Sequence, residues 1–335
     1  MQIDRSDIDR IYSNSVNLNS EAVIHFVTHL VKVSENELAG QHPRIFSMQK
    51  IVETAAVNMD RVRIVWSQIW KILQVHFQNV GCHSNTRIAM YAIDSLRQLA
   101  RTFLEKDELS GFDFQQDFLL PFEHIVARSD SGQNRELVVC CLDQIIQSSA
   151  KNLKSGWKAL LKVLVVAASD KDEMIVNLGF KISEAVMKEH FGEIRGIFGD
   201  MSNCIVAFGR NKTNTTVSLA AIRHLNNLSL KLTSGDVIPL PEPSQASPTS
   251  HSFIFNESHA EYWFPLLTGI ADLVNDERPS VRTTALDALF HILRKHGGTF
   301  SEELWALVFK GAETSVVSHF YTKKDRFTKT GSGRT

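Results

Sequence analysis

A short helical pattern recurs five times along this chain, and it restricts the fold more than any other feature. Each copy sets a small residue on an apolar helical stripe. An aliphatic residue comes four positions earlier, and a large apolar residue follows directly. Helices pack at roughly 8–10 Å only where the facing side chains allow it, so the pattern is typical of the inner helix of a stacked helical hairpin. The small residues are Ala92, Cys141, Gly179, Ala221 and Ala285.

The spacing of the copies indicates the type of repeat. Successive small residues are separated by 49, 38, 42 and 64 residues, and the first three intervals lie near the roughly 40–47 residues of HEAT and armadillo repeats. The fourth interval contains segment 234–258, which holds four of the chain's eight prolines and does not continue a helix. We therefore predict an all-α fold, a HEAT/armadillo-like α-solenoid of irregular helical hairpins, with a flexible Pro/Ser-rich linker at 234–258.

The rest of the chain is divided around this linker. We predict a solenoid over 1–233, its final helical hairpin over 259–311, and a disordered or aberrant tail over 312–335. Ser20 is the expected N-cap of the first clear outer helix. The outer helices are predicted at 20–34, 61–77, 156–169 and 262–275.

Composition excludes several classes of protein. Hydrophobic residues make up 43% of the chain, and 17 Gly with 8 Pro are too few for an all-β protein. The longest aliphatic run, 159–168, is too short to span a bilayer, and the N-terminus has no apolar signal segment. The 36 basic and 37 acidic residues are balanced, so we expect no nucleic-acid partner. Four cysteines, two of them adjacent, favour a reduced, cytoplasmic setting.

The sequence contains no recognisable constellation for catalysis. It has no Gly-rich phosphate loop, no nucleophile elbow and no paired CxxC motif. His25 and His29 have the spacing of helical zinc ligands, but nothing suggests a third ligand, so a structural role is favoured. We therefore expect no catalytic, metal or cofactor-binding residues and no cofactor.

Polar and tryptophan residues on otherwise apolar helices are the first candidates for partner binding. Asp recurs two positions after the small residue at Asp94, Asp143 and Asp287. If Asp and Arg side chains pair between neighbouring repeats, they form an internal ladder, which is the favoured interpretation. If they are exposed, they form a partner surface, since Trp and Arg are common interface anchors. The candidate protein-binding residues are Arg61, Arg63, Trp66, Trp70, Arg97 and Gln98.

An aromatic cluster around a Gly-containing loop is the second candidate. Phe112, Phe114, Phe118 and Phe122 lie within eleven residues of each other. Exposed rings would suit a membrane surface or a partner groove. Buried rings would fix the loop to the next helix, and burial is favoured. Phe112, Phe114 and Phe118 remain the possible membrane or partner contacts.

Three runs of the chain resemble a known family. They are HPRIFSMQKIVETAAVNMDRVRIVWSQIWKIL, AIDSLRQLARTFLEKDELSGFDFQQDFLLPFEHI and KSGWKALLKVLVVAASDKDEMIVNLGF. They are similar to the region downstream of the exchange domain in the large, brefeldin-A-inhibited guanine-nucleotide exchange factors for ARF GTPases. The strings SLRQL, PFEHI and SGWK carry the resemblance, which covers roughly residues 20–310.

The resemblance implies a regulatory role without catalysis. In that family a separate upstream domain with an acidic finger performs exchange, and no such motif is present here. The expected partners are GTP-loaded small GTPases of the ARF and Rab classes, the exchange domain of the same full-length protein, and the peripheral trans-Golgi membrane. The sequence departs from the family after VFKG at 308–311, and it matches poorly over 211–258. A general helical scaffold for protein interaction is the alternative, and an enzyme is the least favoured class.

Overall fold

The computed structural model describes residues 5–106, 108, 113–234, 237, 257–300, 302, 304–306 and 308–309. These described residues form helices and connecting turns without any strand, which confirms the predicted all-α fold. Most of the predicted linker at 234–258 and the whole predicted tail at 312–335 lie outside the described residues. The helices are α1 (Arg5–Ser13), α2 (Ser20–Ala39), α3 (Phe46–Asn58), α4 (Arg63–Gly81), α5 (Thr86–Leu104), α6 (Phe114–Arg128), α7 (Gly132–Ser149), α8 (Gly156–Ala167), α9 (Glu173–Glu189), α10 (Phe191–Ile194), α11 (Phe198–Gly209), α12 (Thr215–Thr233), α13 (Glu257–Leu273) and α14 (Pro279–His296).

The chain divides into two compact units, Met1–Ala167 and Ala168–Thr335. In the first unit the helices alternate between two layers. One layer contains α2, α4, α6 and α8, and the other contains α1, α3, α5 and α7, each helix packing on the next in its layer. The hairpins α2–α3, α4–α5 and α6–α7 join the layers. This alternation is the packing that stacked helical hairpins produce.

The second unit repeats the arrangement with fewer helices. Helix α11 packs on α13 in one layer and α12 packs on α14 in the other, and the pairs α11–α12 and α13–α14 form hairpins. Helix α9 packs against α11. The predicted boundaries at 233, 258 and 311 remain predictions.

All five small residues of the repeated pattern are buried, in α5, α7, α9, α12 and α14. Ala92, Ala221 and Ala285 are 0% exposed. In the last copy the large apolar residue that directly follows Ala285 is Leu286, which the pattern predicts on the buried stripe; this is wrong, since Leu286 is 39% exposed. In the Gly179 copy the polar residue Ser183 follows the small residue by one helical turn. Its hydroxyl donates to the Gly179 carbonyl at 2.9 Å, so it is satisfied at an apolar position.

Four of the five helices that carry the repeated pattern share a starting signal, and α14 instead begins with Pro279. Helices α5, α7, α9 and α12 each begin after a residue whose side chain accepts a backbone N–H of the first turn. Such a cap satisfies one of the donors left unpaired at a helix start. The four capping residues are Asn85, Ser131, Asp172 and Asn214.

The predicted outer helices exist, with corrected ends. The N-cap of α2 is Asn19, not Ser20, because the Asn19 side chain accepts from the Ala22 amide at 2.8 Å. Helix α4 begins at Arg63, since Val62 has extended backbone angles (φ −47°, ψ 132°), and it runs on to Gly81. Helix α13 already begins at Glu257.

Membrane spans and bonded cysteines are not found in the described part of the chain. None of its helices combines the length and the apolar character needed to cross a bilayer. The four cysteines are free thiols. Among the described residues, no His, Cys, Asp and Glu side chains come together as a metal-binding group.

Candidate partner-binding site

Arg61 lies at the turn between α3 and α4 and joins this turn by hydrogen bonds to the segment that follows α1. Its Nη2 donates to the backbone carbonyls of Ser15 and Val16, both at 2.9 Å, and of Leu18 at 2.7 Å. Its Nε donates to the side chain of Asn58, which is 0% exposed. The guanidinium therefore satisfies carbonyls at the end of the 3-10 turn after α1. In this position Arg61 is a structural group of the first unit.

The two tryptophans of the candidate set lie inside the first unit. Trp66 is 5% exposed and Trp70 is 4% exposed. Trp70 stacks on Phe118 with ring centroids 4.0 Å apart, and Phe118 stacks on Phe103 at 4.4 Å. The Trp70 indole N–H donates to the Asp117 carbonyl at 3.2 Å. These rings form one continuous stack that holds α4, α5 and α6 together.

This stack corrects one alternative from the sequence. Phe118 was a possible membrane or partner contact, but it is 1% exposed, and Phe122 is 0% exposed. The favoured burial of the aromatic cluster is therefore correct for these two residues. Phe114 is half-buried, while Phe112 lies outside the described residues.

Beside the stack, a cavity opens to the surface, and we call it the corner pocket. It has a volume of about 190 Å³. Elements that are distant in sequence form it, namely the α3–α4 turn, the end of α5 and the start of α6. The lining residues are Met59, Asp60, Arg61, Arg63, Trp66, Phe103, Lys106, Glu108, Phe114 and Gln115.

The rim of the corner pocket combines charged and apolar groups. Lys106 forms an ion pair with Asp60 across the mouth. The Arg63 guanidinium lies 5.6 Å from the centre of the Phe114 ring, a cation–π distance. The neighbouring side chains Val62 and Ile64 are 74% and 71% exposed. Large apolar side chains next to an Arg and aromatic rings are the composition found at the centre of protein interfaces.

A buried carboxylate beneath the pocket maintains the shape of the pocket, and it was not among the residues predicted from the sequence. Glu108 is 6% exposed, and its oxygens accept from the backbone N–H groups of Gln115 at 2.8 Å and Ser155 at 3.0 Å. It also accepts from the Ser155 hydroxyl at 2.7 Å. One side chain therefore satisfies the starts of both α6 and α8. An acidic residue shortly before a helix start was the only available signal.

Gln115 and Gly156 complete the same junction. The Gln115 carbonyl oxygen accepts from the amide of Lys154 at 2.8 Å, and its amide group donates to the Asn152 carbonyl at 2.9 Å. A Cβ added at Gly156 would lie 2.8 Å from Leu153 and 3.1 Å from Gln115. The SGWK string is thus explained by a close approach of α8 to the start of α6.

Arg97 and Gln98 lie elsewhere, on the outer face of α5. Arg97 pairs with Asp94 at 2.6 Å, and the Gln98 amide donates to the same carboxylate at 2.7 Å. Asp143 likewise bonds to Gln147 of its own helix at 2.8 Å. The predicted ladder between repeats is therefore wrong for Asp94 and Asp143, because partners three and four positions along the same helix are nearer.

The structure thus sorts the candidate residues into three groups. Arg61, Arg63, Trp66 and Phe114 line the corner pocket. Trp70 and Phe118 lie behind it in the aromatic stack, and Arg97 and Gln98 are outside it. The role of any of these residues in binding a partner stays a prediction.

Comparison with known proteins places half of the corner-pocket lining in a recognised region. Residues 102–185, which run from the end of α5 into α9, match the family model described as Sec7-like HDS, Mon2/Sec7/BIG1-like. This match includes Phe103, Lys106, Glu108, Phe114 and Gln115 of the pocket lining.

Similarity to individual known proteins covers most of this chain. Brefeldin A-inhibited guanine nucleotide-exchange protein 2 of Arabidopsis thaliana is 41% identical over 325 residues, which are 91% of this chain and 18% of the relative. Brefeldin A-inhibited guanine nucleotide-exchange protein 1 of the same plant is 37% identical, over 98% of this chain and 20% of the relative. Protein 1 of Homo sapiens is 38% identical over 90% of this chain and 16% of the relative.

The chain therefore spans about a fifth or less of the length of these relatives. Their similarity agrees with the resemblance of the SLRQL, PFEHI and SGWK strings. The chain is homologous to a segment of the brefeldin A-inhibited guanine nucleotide-exchange proteins, and its residues 102–185 match the Sec7-like HDS domain.

Proposed function

We propose that this chain is a non-catalytic regulatory segment of a large ARF guanine-nucleotide exchange factor that acts in Golgi vesicle trafficking. Homology to the exchange proteins over most of the chain supports this role. The matched model is an HDS domain, which is distinct from the domain that performs exchange. In the proposed setting the protein is cytoplasmic and peripheral on trans-Golgi membranes.

The proposed binding surface is the rim of the corner pocket, and the proposed partner is a GTP-loaded small GTPase of the ARF or Rab class. The exposure of Val62 and Ile64 beside Arg63 and Phe114 is the observation that carries this proposal. Contact with a partner would remove these apolar side chains from water. Burying a large aliphatic side chain fully contributes about 1.5–3 kcal/mol.

A nucleotide-dependent pull-down tests the proposal. The purified chain is incubated with ARF or Rab GTPases loaded with GDP or with a non-hydrolysable GTP analogue. We expect retention of the GTP form only, and loss of that retention in Ile64→Asp. An Asp in the first helical turn is favourable for the helix dipole, so the change leaves α4 intact. Equal binding of both nucleotide forms would refute the proposal.

Val75→Asp is the matched control, because Val75 is on the same helix and is 54% exposed but lies about three helical turns beyond Ile64, away from Arg63 and the pocket rim. It should bind the GTPase as the unmodified chain does. A parallel arm offers a purified exchange domain and liposomes without GTPase. Binding of the exchange domain alone, lost in Ile64→Asp, would instead favour the alternative function, a helical scaffold that contacts the exchange domain of the same protein.

A further inference from the structure

A second surface of the first unit lies between the last turns of α5 and α7, and we call it the α5–α7 groove. Its volume is about 300 Å³. Its floor is the side chain of Ile145, which is 2% exposed. Both walls are polar. The lining residues are Arg97, Arg101, Gln144, Ile145, Gln147 and Ser148.

The basic groups of this groove are two arginines, and none of its lining residues is acidic. Two carboxylates adjoin the lining, since Asp94 pairs with Arg97 and Asp143 accepts from Gln147, so Arg101 carries the positive charge that no neighbouring carboxylate offsets. Arg97 is held by Asp94, which accepts from Nε at 3.0 Å and from Nη2 at 2.6 Å, and this leaves Nη1 available for a ligand. The Arg101 side chain is exposed and forms no ion pair or hydrogen bond with any described residue. One guanidinium is therefore fixed in orientation, and a second is available one helical turn away.

The opposite wall offers groups of a different kind. Gln144 and Gln147 are exposed and lie three positions apart on α7, so they are on the same side of that helix. The Gln147 amide nitrogen donates to Asp143, which leaves its carbonyl oxygen as an acceptor. A glutamine amide can donate to a backbone carbonyl and accept from a backbone N–H. This is the pairing that an extended peptide main chain requires.

We propose that the α5–α7 groove binds an extended acidic peptide segment. Its carboxylates pair with the guanidinium groups of Arg97 and Arg101, since a guanidinium matches a carboxylate in geometry and charge. Its main chain bonds to Gln144 and Gln147, and a small apolar side chain covers Ile145. The proposal does not depend on GTPase binding at the corner pocket, because the groove shares no lining residue with that pocket.

A phosphate-bearing ligand is the main competing occupant, because guanidinium groups bind phosphate equally well. The two glutamines and a competing phosphate together distinguish the occupants. A phosphate can accept from a glutamine amide nitrogen, but it has no N–H to donate to a glutamine carbonyl and no main chain for a row of amides to follow. A contribution of both glutamines without displacement by a phosphate compound therefore identifies a peptide.

Fluorescence anisotropy with the full chain tests the proposal. The probes are short fluorescein-labelled peptides, one of alternating Glu and Ala and one of alternating Gln and Ala. We expect saturable binding of the Glu peptide that weakens with added salt, and no binding of the Gln peptide. Arg101→Gln should weaken the affinity roughly two- to fivefold, the usual effect of losing an ion pair at an exposed side chain. Gln144→Ala combined with Gln147→Ala should also weaken it, by a few fold.

Arg87→Gln is the matched control for charge, because Arg87 is exposed in the first turn of the same helix, away from the groove. It should bind the Glu peptide like the unmodified chain. Equal loss of affinity in Arg87→Gln and Arg101→Gln would overturn the proposal. So would displacement of the peptide by inositol trisphosphate together with unchanged binding in the double glutamine variant, since that result identifies a phosphate site.

Discussion

Replacing Arg61 by alanine should destabilise the first unit, whereas replacing Arg63 should not. The two residues are separated by a single position and carry the same charge, but their side chains have different surroundings. Arg61 donates to three backbone carbonyls at residues 15, 16 and 18 and to the buried side chain of Asn58. Arg63 packs its guanidinium over the ring of Phe114 at the rim of the corner pocket.

The expected size of the effect follows from these contacts. Nη2 carries two hydrogens, so it makes at most two full hydrogen bonds among its three acceptors, and Nε adds a third bond. Loss of Arg61 leaves the Asn58 oxygen without this donor, and Asn58 is 0% exposed. Each buried group left unsatisfied costs about 1–3 kcal/mol, while water reaches the more exposed carbonyl of Val16. We expect Arg61→Ala to lower the free energy of unfolding by about 2–4 kcal/mol, and Arg63→Ala by less than about 1 kcal/mol.

Thermal unfolding and hydrogen exchange measure this difference. For a unit of this size, 2–4 kcal/mol corresponds to a decrease of roughly 5–15 °C in the melting temperature. Hydrogen exchange followed by mass spectrometry should also show faster exchange in Arg61→Ala at the 3-10 turn Asn14–Asn17 and at the α3–α4 turn. A melting temperature of Arg61→Ala within about 1 °C of the unmodified chain, or equal losses in both variants, would refute the assignment of Arg61 to the fold.

Three further substitutions test other parts of the structure. Glu108→Ala removes the carboxylate that accepts hydrogen bonds from the starts of α6 and α8. It should lower the free energy of unfolding, measured in urea, by about 2–4 kcal/mol. Glu105→Ala, a change at an exposed neighbour, should not reproduce this effect. Gly269→Ala places a Cβ 2.2 Å from the Val206 side chain, so helices α11 and α13 must separate, and the melting temperature should fall by several degrees. Burial lowers the pKa of His76 from 6.5 to about 4. As pH falls, the His76 imidazole therefore binds a proton in the unfolded chain before it does so in the folded chain. The stability contributed by the neutral imidazole is complete above about pH 6.5 and is lost as pH falls towards 4. The urea midpoint should therefore decrease between pH 7 and pH 5, and a slope unchanged in His76→Gln would contradict this origin.

The repeated helices could be predicted from the sequence because helical periodicity is a local property. Ala92, Ala221 and Ala285 are all buried where the pattern placed them. The spacing of apolar residues fixes which side of a helix is buried, and the small residue marks the closest approach of its neighbour. The alternation of long helices between two layers follows from the same pattern. Leu286 shows the limit, because a side chain on the edge of the stripe remains exposed when no described helix covers it.

The polar contacts could not be predicted in the same way. The sequence favoured pairing of Asp94 with an arginine of a neighbouring repeat, whereas in the structure Asp94 pairs with Arg97 of its own helix. Glu108 bonds to amides seven and 47 residues away, so its role depends on how two helix starts meet. A hydrogen bond requires placement within a few tenths of an ångström, whereas burial requires only the correct side of a helix. Arg61, Arg63 and Trp66 of the first candidate set and Phe114 of the second meet at the corner pocket, a juxtaposition that the sequence did not predict, and the sequence did not separate structural from accessible residues.

This separation decides which variants can report on function. Arg61 points towards the 3-10 turn and Trp70 towards the aromatic stack, so a change at either residue alters the fold before it alters a surface. Val62 and Ile64 are more than two thirds exposed, and the first unit can lose their side chains with little change in packing. A loss of binding in Arg61→Ala would consequently be ambiguous, whereas the same loss in Ile64→Asp with an unchanged melting temperature would identify a contact. Because stability and recognition are assigned to adjacent residues of one turn, each binding measurement at the corner pocket has to be paired with an unfolding measurement on the same variant.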